Sequence, residues 1–185
     1  MLSSLKMWRA RATSNVEDPL YEYATTGKVK YLEQVIERYQ SDLFHFLKTQ
    51  TQAASAEDIC QKTWLKVIEK KSAYRQQGHP KAYLFHIARN LLIDSIRASG
   101  KLSELTDSKV GMTNSNEFTK TSEEQWLYQQ IAALPLLQKE ALSLQLEGFS
   151  LAEIAQIVGA TQETVKTRIR YAKETLKSQV GENHE

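Results

Sequence analysis

The sequence is poor in the residues that make turns and in the residue that makes disulfides. It contains 7 glycines, 3 prolines and 1 cysteine among 185 residues. A β-sandwich needs turn residues every 8 to 12 positions or so, whereas helices run long between breaks. The lone cysteine, Cys60, cannot form an intramolecular disulfide, and we interpret it as a small buried apolar residue in a reducing cytoplasm. These absences predict an all-α protein.

Long apolar runs are also missing. Nothing in the sequence approaches the roughly 18 apolar residues of a membrane span, and the opening segment MLSSLKMWRARATSN lacks the apolar core of a signal peptide. We therefore expect a cytoplasmic protein without stable membrane insertion. Residues 1–16 carry three basic residues and no acid, which fits a mobile tail or an arm for nucleic acid or a membrane surface.

Motifs for catalysis and metal binding are absent as well. The sequence contains no glycine-rich phosphate loop, no nucleophile elbow and no pair of cysteines at metal-binding spacing. Its four histidines, at 45, 79, 86 and 184, share no helical spacing that would place two of them on one metal. We therefore predict neither an enzyme nor a cofactor. His86, which has basic neighbours, is the one histidine of interest.

The charge is unevenly spread along the chain. The formal net charge is +2, but residues 21–100 hold 12 basic and 8 acidic side chains, and residues 101–125 hold 3 and 5. The second of these stretches is rich in Ser, Thr and Asn and has no sustained apolar period, which is typical of a linker. The chain is thus predicted to form two small helical domains joined by a flexible polar linker. The predicted boundaries are a basic tail (1–24), a first domain (25–99), the linker (100–123), a second domain (124–179) and a C-terminal tail (180–185).

Apolar periodicity predicts three helices in the first domain. Between Val29 and Lys48 the apolar residues recur every three or four positions, as in an amphipathic helix. Ser55 and Asp58 have the spacing of a capping box, which predicts a helix beginning there, with Trp64 near a polar surface. Pro80 suits the first turn of a third helix. The apolar side of the second helix is predicted to contain Ile59, Thr63, Trp64, Val67 and Ile68.

One arc of the third helix combines cations, an amide and rings. Its members are Lys81, Phe85, His86, Arg89, Asn90 and Arg97. Such a set suits the phosphates and unstacked bases of single-stranded nucleic acid. An ordinary basic surface, with Tyr83 and Phe85 in the core, explains the composition equally well. The sequence leaves these two interpretations open.

The second domain contains the parts of a helix-turn-helix. Ser150 can cap the short helix LAEIAQIV, Gly159 supplies a positive φ at the turn, and Thr161 can cap the helix QETVKTRIRYAKETLK. The small Ala155 permits close approach of the two helices, and Val165 packs the second against the first. The outward side of the second helix carries Gln162, Glu163, Lys166, Thr167, Arg168 and Arg170, whose donors can reach base edges or phosphates in a major groove.

Both halves resemble one family. SAEDICQKTWLKVIEK resembles region 2.2 of the bacterial sigma factors of the extracytoplasmic-function group (group IV of the sigma-70 family), and HPKAYLFHIARNLLIDSIR resembles regions 2.3 and 2.4. LPLLQKEALSLQLEGFSLAEIAQIVGATQETVKTRIRYAKETLK resembles region 4. The resemblance runs from about residue 31 to residue 177. The order and spacing of the segments, with a polar linker between them, are more specific than the helix-turn-helix alone.

The resemblance implies a promoter-specificity subunit without catalytic activity. Its implied partners are core RNA polymerase, through the β′ coiled coil and the β flap, promoter DNA, and an anti-sigma factor. The implied polymerase-binding residues are Asp58, Gln61, Trp64 and Leu65. The implied minus-ten residues are Lys81, Tyr83, Phe85, Arg89, Asn90 and Arg97. The implied minus-thirty-five residues are Thr161, Gln162, Glu163, Thr164, Lys166, Thr167, Arg168, Arg170 and Lys173.

The sequence departs from the family pattern at three positions. Lys62 stands where the family commonly has an acidic residue, and Trp64 stands where phenylalanine is usual. Glu163 stands where glycine is usual. Glu163 could accept from a cytosine amino group, or could merely favour the positive first turn of its helix. Two other functions also fit the residues: a free-standing helix-turn-helix regulator, and a protein-interaction adaptor that has lost DNA recognition.

Overall fold

The structure is a computed structural model that describes residues 18–75, 79–100 and 122–182. The predicted basic tail up to residue 17, most of the predicted linker and residues 183–185 lie outside the described residues. Within the described ranges the secondary structure is entirely helical, which confirms the predicted fold class. The described helices are α1 (Pro19–Thr26), α2 (Val29–Gln50), α3 (Ala53–Glu69), α4 (Pro80–Ala98), α5 (Ser122–Ala133), α6 (Leu136–Leu146), α7 (Leu151–Val158) and α8 (Gln162–Glu182), and a 3₁₀ turn lies at Lys71–Ala73.

Helix α1 corrects the predicted extent of the N-terminal tail. Asp18 accepts a hydrogen bond from the backbone N–H of Tyr21 at 3.1 Å, and Pro19 occupies the first helical position. Leu20 and Tyr23 are buried in the core. An eight-residue helix offers only two turns of periodicity, so its apolar positions give a weak signal in the sequence. Residues 19–24, which were predicted as tail, are therefore part of a helix packed in the first domain.

Helices α2, α3 and α4 form the centre of the first domain. The stripe predicted on α2 is confirmed, since Val35, Leu43 and Phe46 are fully buried. Helix α4 begins at Pro80 as predicted and contributes Leu84 and Ala88 to the same core. A fully buried Leu or Phe side chain contributes roughly 1.5–3 kcal/mol through removal of apolar area from water. Cys60 is also buried, as the sequence predicts, and burial raises the pKa of its thiol to about 11.

Helix α3 begins two residues before the predicted capping box. Its first residue is Ala53 and its N-cap is Gln52, so Ser55 lies inside the first turn and caps nothing. Asp58 pairs instead with Lys62, one turn later, at 2.6 Å. Ala53 and Ala54 are strong helix formers that extend the helix through the serine. The buried side of α3 is also narrower than predicted, because Ile68 is 42% exposed.

The second domain confirms the predicted helix-turn-helix. Ser150 and Glu153 form a reciprocal capping box at the start of α7, and Gly159 ends α7 at a φ of +67°. Thr161 accepts from the backbone N–H of Thr164 at 3.1 Å and so caps α8. Val165, on α8, is fully buried. Each of these local features was encoded by residues within a few positions of one another.

The two domains pack against each other and share one hydrophobic core. Phe85 of α4 lies between Phe46 of α2 and Phe149 of the α6–α7 loop, with ring centroids 5.3 Å and 4.9 Å away. Thr49 and Ser143 join α2 to α6 through their hydroxyl groups at 3.1 Å. This arrangement places α4 next to both α6 and α7, and it determines which faces of the molecule are open.

Candidate nucleic-acid interface

The outward side of α8 is open to solvent and rich in cations. Lys166 and Arg170 have side chains that are 67% and 61% exposed. Their acidic neighbours on the same helix, Glu163 and Glu174, lie 3.9 Å and 4.0 Å away, and exposed pairs of this kind contribute little energy. The cations therefore stay available for another partner. The remaining predicted members are exposed or half-buried along the same helix: Thr161, Gln162, Thr164, Thr167, Arg168 and Lys173.

Two open grooves flank α8, so that the helix forms a ridge between them. The first has a volume of about 490 Å³ and is lined by Pro135 of the α5–α6 connection, and by Thr164 and Arg168 of α8. The second has a volume of about 450 Å³, and Lys166 and Lys173 contribute to its wall. Cations thus line both sides of the outward surface of α8, and side chains of these lengths can reach phosphates or base edges in a DNA major groove.

The part of the basic arc of α4 formed by Lys81, His86 and Arg89 faces the second domain. Lys81 is paired with Asp42 at 2.7 Å and donates to the backbone carbonyl oxygen of Glu147 at 2.8 Å. Arg89 donates from Nε to Glu140 Oε1 at 2.8 Å. Only 19% of the Arg89 side chain is exposed. Sequence reasoning identified these cations as a group but did not identify the partners that cover them.

The structure corrects the assignment of two aromatic residues to this surface. Phe85 has no exposed area, and Tyr83 is 9% exposed, with its ring edge-to-face against Tyr74 at 4.8 Å. Burial raises the pKa of the Tyr83 hydroxyl. Both rings belong to the core, which is the second of the two interpretations that the sequence left open. They are not available to stack on bases in this conformation.

Of the other polar residues of α4, His86 contacts the second domain, whereas Asn90 and Arg97 are exposed to solvent. The Nδ1 of His86 lies 3.2 Å from the backbone carbonyl oxygen of Ile157 in α7, and burial lowers its pKa below the usual value. Asn90 is exposed and lies 3.1 Å from the other ring nitrogen of His86. Arg97 is exposed near the end of the helix, 3.8 Å from Asp94. Asn90 and Arg97 thus form the open end of the arc.

A second open face lies on α3. Asp58, Gln61 and Leu65 are exposed, and the Leu65 side chain is 57% exposed. Ile68 lies on the same side of the helix and was missed, because its apolar character was interpreted as core. Its spacing from Gln61 and Leu65, seven and three residues, was the available signal. Trp64 is half-buried beside this face, and its indole nitrogen finds no hydrogen-bond partner among the described residues.

The described part of the chain holds no cluster of three side chains suited to a metal ion. Among its helices, none is long and apolar enough to cross a membrane.

Comparison with known families accounts for both domains. Residues 35–102 match the model of sigma-70 region 2, and residues 124–176 match that of sigma-70 region 4. The chain belongs to the sigma-70 family. The two regions occur in the order predicted from the sequence, and they cover the α3 and α4 faces in one half and α8 in the other. This sigma factor is a promoter-directing protein of the extracytoplasmic-function (ECF) type, as its relatives also indicate.

Three curated relatives illustrate the similarity. The ECF sigma factor SigC of Mycobacterium tuberculosis is 28% identical over 163 residues, which cover 83% of this chain and 85% of SigC. The ECF sigma-E factor of Haemophilus influenzae is 25% identical, with 89% and 95% covered. The ECF sigma factor BldN of Streptomyces coelicolor is 27% identical over 85% of this chain, and the match spans 63% of the length of BldN.

Solved structures agree with this assignment. The sigma factor RpoE of Bartonella quintana, solved in complex with the anti-sigma factor NepR, matches 82% of this sigma factor with a TM-score of 0.70 and 26% identity. CnrH, solved in complex with the cytosolic domain of CnrY, matches 89% with a TM-score of 0.65. At 19% identity the CnrH match shows a shared fold alone. Both solved chains are covered over 98% of their length.

Proposed function

We propose that this protein is a group IV sigma factor that binds core RNA polymerase in the cytoplasm and directs it to promoters with a defined minus-thirty-five and minus-ten element. The observation that carries the proposal is the ridge of α8, whose exposed cations stand between two grooves. The α3 face supplies the polymerase contact, through the exposed side chains of Asp58, Gln61, Leu65 and Ile68 beside Trp64. An exposed aliphatic pair with a half-buried aromatic neighbour suits a protein contact.

In the proposed reaction the α4 arc holds the non-template strand after melting. Opening a duplex costs a few kcal/mol per extruded base, and stacking with backbone pairing returns about 1–3 kcal/mol per base, so binding can drive melting without ATP. With Tyr83 and Phe85 in the core, the proposed contacts come from Lys81, Arg89, Asn90 and Arg97. Arginine planes can stack on bases as well as pair with phosphates. The protein itself performs no catalysis in this scheme.

The proposed partners are core RNA polymerase, through its β′ coiled coil and β flap, promoter DNA and an anti-sigma factor. Support for the last comes from the similarity to RpoE, whose structure was solved with NepR. A free-standing regulator is the alternative, and it would bind duplex DNA alone, usually as a symmetric dimer.

Run-off transcription from a genomic promoter library tests the proposal. Core RNA polymerase is supplied with and without this protein, and promoter-specific transcripts are expected only when the protein is present. The start sites, once aligned, reveal the two elements. Specific duplex binding without polymerase, and no new transcript with it, would establish the free-standing regulator instead.

Neutralising the α8 ridge separates promoter recognition from polymerase binding. We expect the double variant R168A/R170A to weaken promoter binding of the holoenzyme by about tenfold or more, since each lost phosphate or base contact costs about 1 kcal/mol or more. Binding to core polymerase should not change. The matched control is K28Q/K30Q at the exposed start of α2, which removes the same charge. Unchanged promoter binding by the R168A/R170A variant would favour the adaptor function.

Glu163 is the proposed determinant of an unusual minus-thirty-five preference. Its side chain is 84% exposed at the first turn of α8, where it can reach a base edge. We expect E163A to change the ranking of minus-thirty-five sequences in a randomised promoter library, because a carboxylate that accepts from a cytosine amino group is lost. An unchanged ranking would mean that Glu163 does not contact a base and only stabilises the positive N-terminal end of α8.

A further inference from the structure

One lysine at the start of α4 is shared by two carboxyl groups that come from different domains. Lys81 Nζ lies 2.7 Å from Asp42 Oδ2 of α2 and 3.8 Å from Oε2 of Glu147, the residue that follows α6. The same ammonium group donates to the backbone carbonyl oxygen of Glu147 at 2.8 Å. Asp42 and Lys81 belong to the first domain, and Glu147 belongs to the second. The three side chains therefore form one charged cluster across the contact between the domains.

This cluster holds an excess of negative charge when all three groups are ionised, because one ammonium group faces two carboxylates. Lys81 from α4 and Asp42 from α2 are the charged groups that act on Glu147 within the described part of the chain. Asp42 has the nearer place on Lys81, so the carboxylate of Glu147 is only partly compensated. A proton on Glu147 makes the cluster neutral. The charge count thus favours a protonated Glu147 when the domains are together.

The surroundings of the cluster are too apolar to screen the excess charge. The Lys81 ammonium group lies 5.6 Å from the ring centroid of Phe85 and 5.2 Å from that of Phe149. The side chains of Lys81 and Glu147 are 25% and 19% exposed. Burial disfavours the ionised form of a carboxyl group and raises the pKa of Glu147. Because Lys81 and Asp42 reach Glu147 from the other domain, parting of the domains brings Glu147 into water and favours release of its proton.

Two histidines of the same contact also titrate, and they act in opposite directions. His79 Nδ1 lies 3.2 Å from Glu153 Oε1 of α7, and an imidazole attracts a carboxylate only when it is protonated. His86 Nδ1 lies 3.2 Å from the backbone carbonyl oxygen of Ile157, and burial lowers the pKa of this ring. Acid therefore strengthens the first contact and weakens the second. Substitution of Glu147 alone leaves both histidines in place, so a comparison with the wild type isolates the contribution of Glu147.

The cluster includes a residue with a proposed role in promoter melting. Lys81 and Arg89 are proposed minus-ten contacts, and here Lys81 donates to Glu147 and Arg89 to Glu140 of the second domain. A group that sets the strength of the domain contact according to pH therefore also sets how often these two cations are available to DNA.

We propose that Glu147 couples the domain contact to pH: its carboxyl group takes up a proton when the domains meet at Lys81 and releases it when they part. Acidification thus strengthens the contact through Glu147, and a rise in pH toward neutrality weakens it. The chain senses proton concentration by itself, without a second protein. For promoter use, a consequence that rests on the proposed sigma-factor function, acid reduces the access of the minus-ten strand to Lys81 and Arg89.

Förster energy transfer between dyes on the two domains measures this coupling in the free protein. The labelled cysteines are introduced by Q34C in α2 and S178C in α8, both at exposed positions, in a C60A background. The ratio of open to closed molecules is measured from pH 5 to pH 8, with and without the substitution E147Q. We expect the ratio without E147Q, divided by the ratio with it, to increase by up to about tenfold per pH unit toward pH 7 and then to level off, since glutamine has no proton to release.

A matched variant separates the cluster from net charge. E33Q, on the exposed side of α2, makes the same change in net charge as E147Q and should keep the pH dependence of the parent protein. The same pH dependence with and without E147Q would overturn the proposal, as would domains that stay closed in both proteins at every pH. Loss of the pH dependence in E33Q as well would assign the effect to net charge and also overturn it.

The titration of the carboxyl group provides a measurement that needs no variant. The ¹³C resonance of the Glu147 side-chain carboxyl group is assigned and followed with pH in the wild-type protein. We expect its midpoint near pH 7, and a midpoint near pH 4.5 would overturn the proposal. Circular dichroism establishes whether E147Q folds. If it does not, this midpoint decides the question.

Run-off transcription then tests the consequence for promoter use. With core polymerase at pH 6 and pH 8, we expect E147Q to match the wild type at the lower pH and to give fewer promoter-specific transcripts at the higher one. The ratio of the two proteins removes the pH dependence of the polymerase itself. If neither protein gives transcripts at either pH, the proposed sigma-factor function is wrong, whereas the energy-transfer result is unaffected. Active proteins with the same ratio at both pH values would overturn the consequence for promoter use.

Discussion

At the scale of single residues, α4 shows why the sequence left two interpretations of the same aromatics. Lys81, Phe85 and Arg89 follow one another at four-residue intervals, next to the core stripe of Leu84 and Ala88. A helix that packs on one side would expose the first stripe. Helix α4 packs on two sides, because α7 covers it from the second domain, and the ring of Phe85 is then fully buried.

The burial of Phe85 leads to a prediction about stability. The substitution F85A removes a ring that contacts both Phe46 and Phe149, so it should reduce the free energy of unfolding by about 3–5 kcal/mol. Urea denaturation followed by circular dichroism measures the change. The exposed Arg97 of the same helix provides a control, since R97Q should change stability by less than about 0.5 kcal/mol. An F85A variant as stable as R97Q would mean that the ring does not belong to the core.

At the scale of elements, one capping pattern correctly predicted the start of a helix, and the same pattern elsewhere did not. Ser150 with Glu153 and Ser55 with Asp58 share a spacing of three, and only the first pair caps a helix. The difference lies in what precedes each serine. Gly148 has a φ of +87° and stops α6, which forces a new start at α7, whereas two alanines before Ser55 allow α3 to begin earlier.

The two serines form a matched pair of variants. S150A removes the acceptor for the backbone N–H of Glu153 and one half of the capping box, so it should reduce the free energy of unfolding by about 1 kcal/mol. S55A lies inside a helix, where alanine has the higher propensity, and should leave stability equal or slightly greater. Thermal and urea unfolding of both variants test this. Equal destabilisation by both variants would indicate that α3 begins after Ser55, with Ser55 as its cap.

At the scale of the whole molecule, the sequence predicted the two halves but not their packing. A helix-turn-helix and an amphipathic stripe depend on residues that are close in sequence, so apolar periodicity and capping residues are enough to predict them. The contact between the halves depends on Ser143, Glu140 and Gln50, which in the sequence resemble ordinary polar positions. Ser143 is 93 residues from Gln50, and a polar linker between them fixes no orientation. The contacts of Lys81 and Arg89 with the second domain could therefore not be predicted.

The domain contact also contains a carboxyl group with a strongly shifted pKa. Burial raises the pKa of Glu147 from 4.5 to about 7, while Lys81 opposes the rise and Asp42 adds to it. Between pH 4.5 and 7 the folded protein therefore holds a proton that the unfolded chain has released. Stability then falls as pH rises through this window, because ionising Glu147 favours the unfolded state.

The variant E147Q isolates this effect. Its free energy of unfolding, minus that of the wild type, should increase from pH 5 to pH 8 and level off above, since glutamine cannot ionise and every other titrating group is common to both proteins. Urea denaturation at intervals across this range gives the difference curve. A flat curve for E147Q would mean that solvent reaches Glu147 freely, and that the two domains are not held together at Lys81.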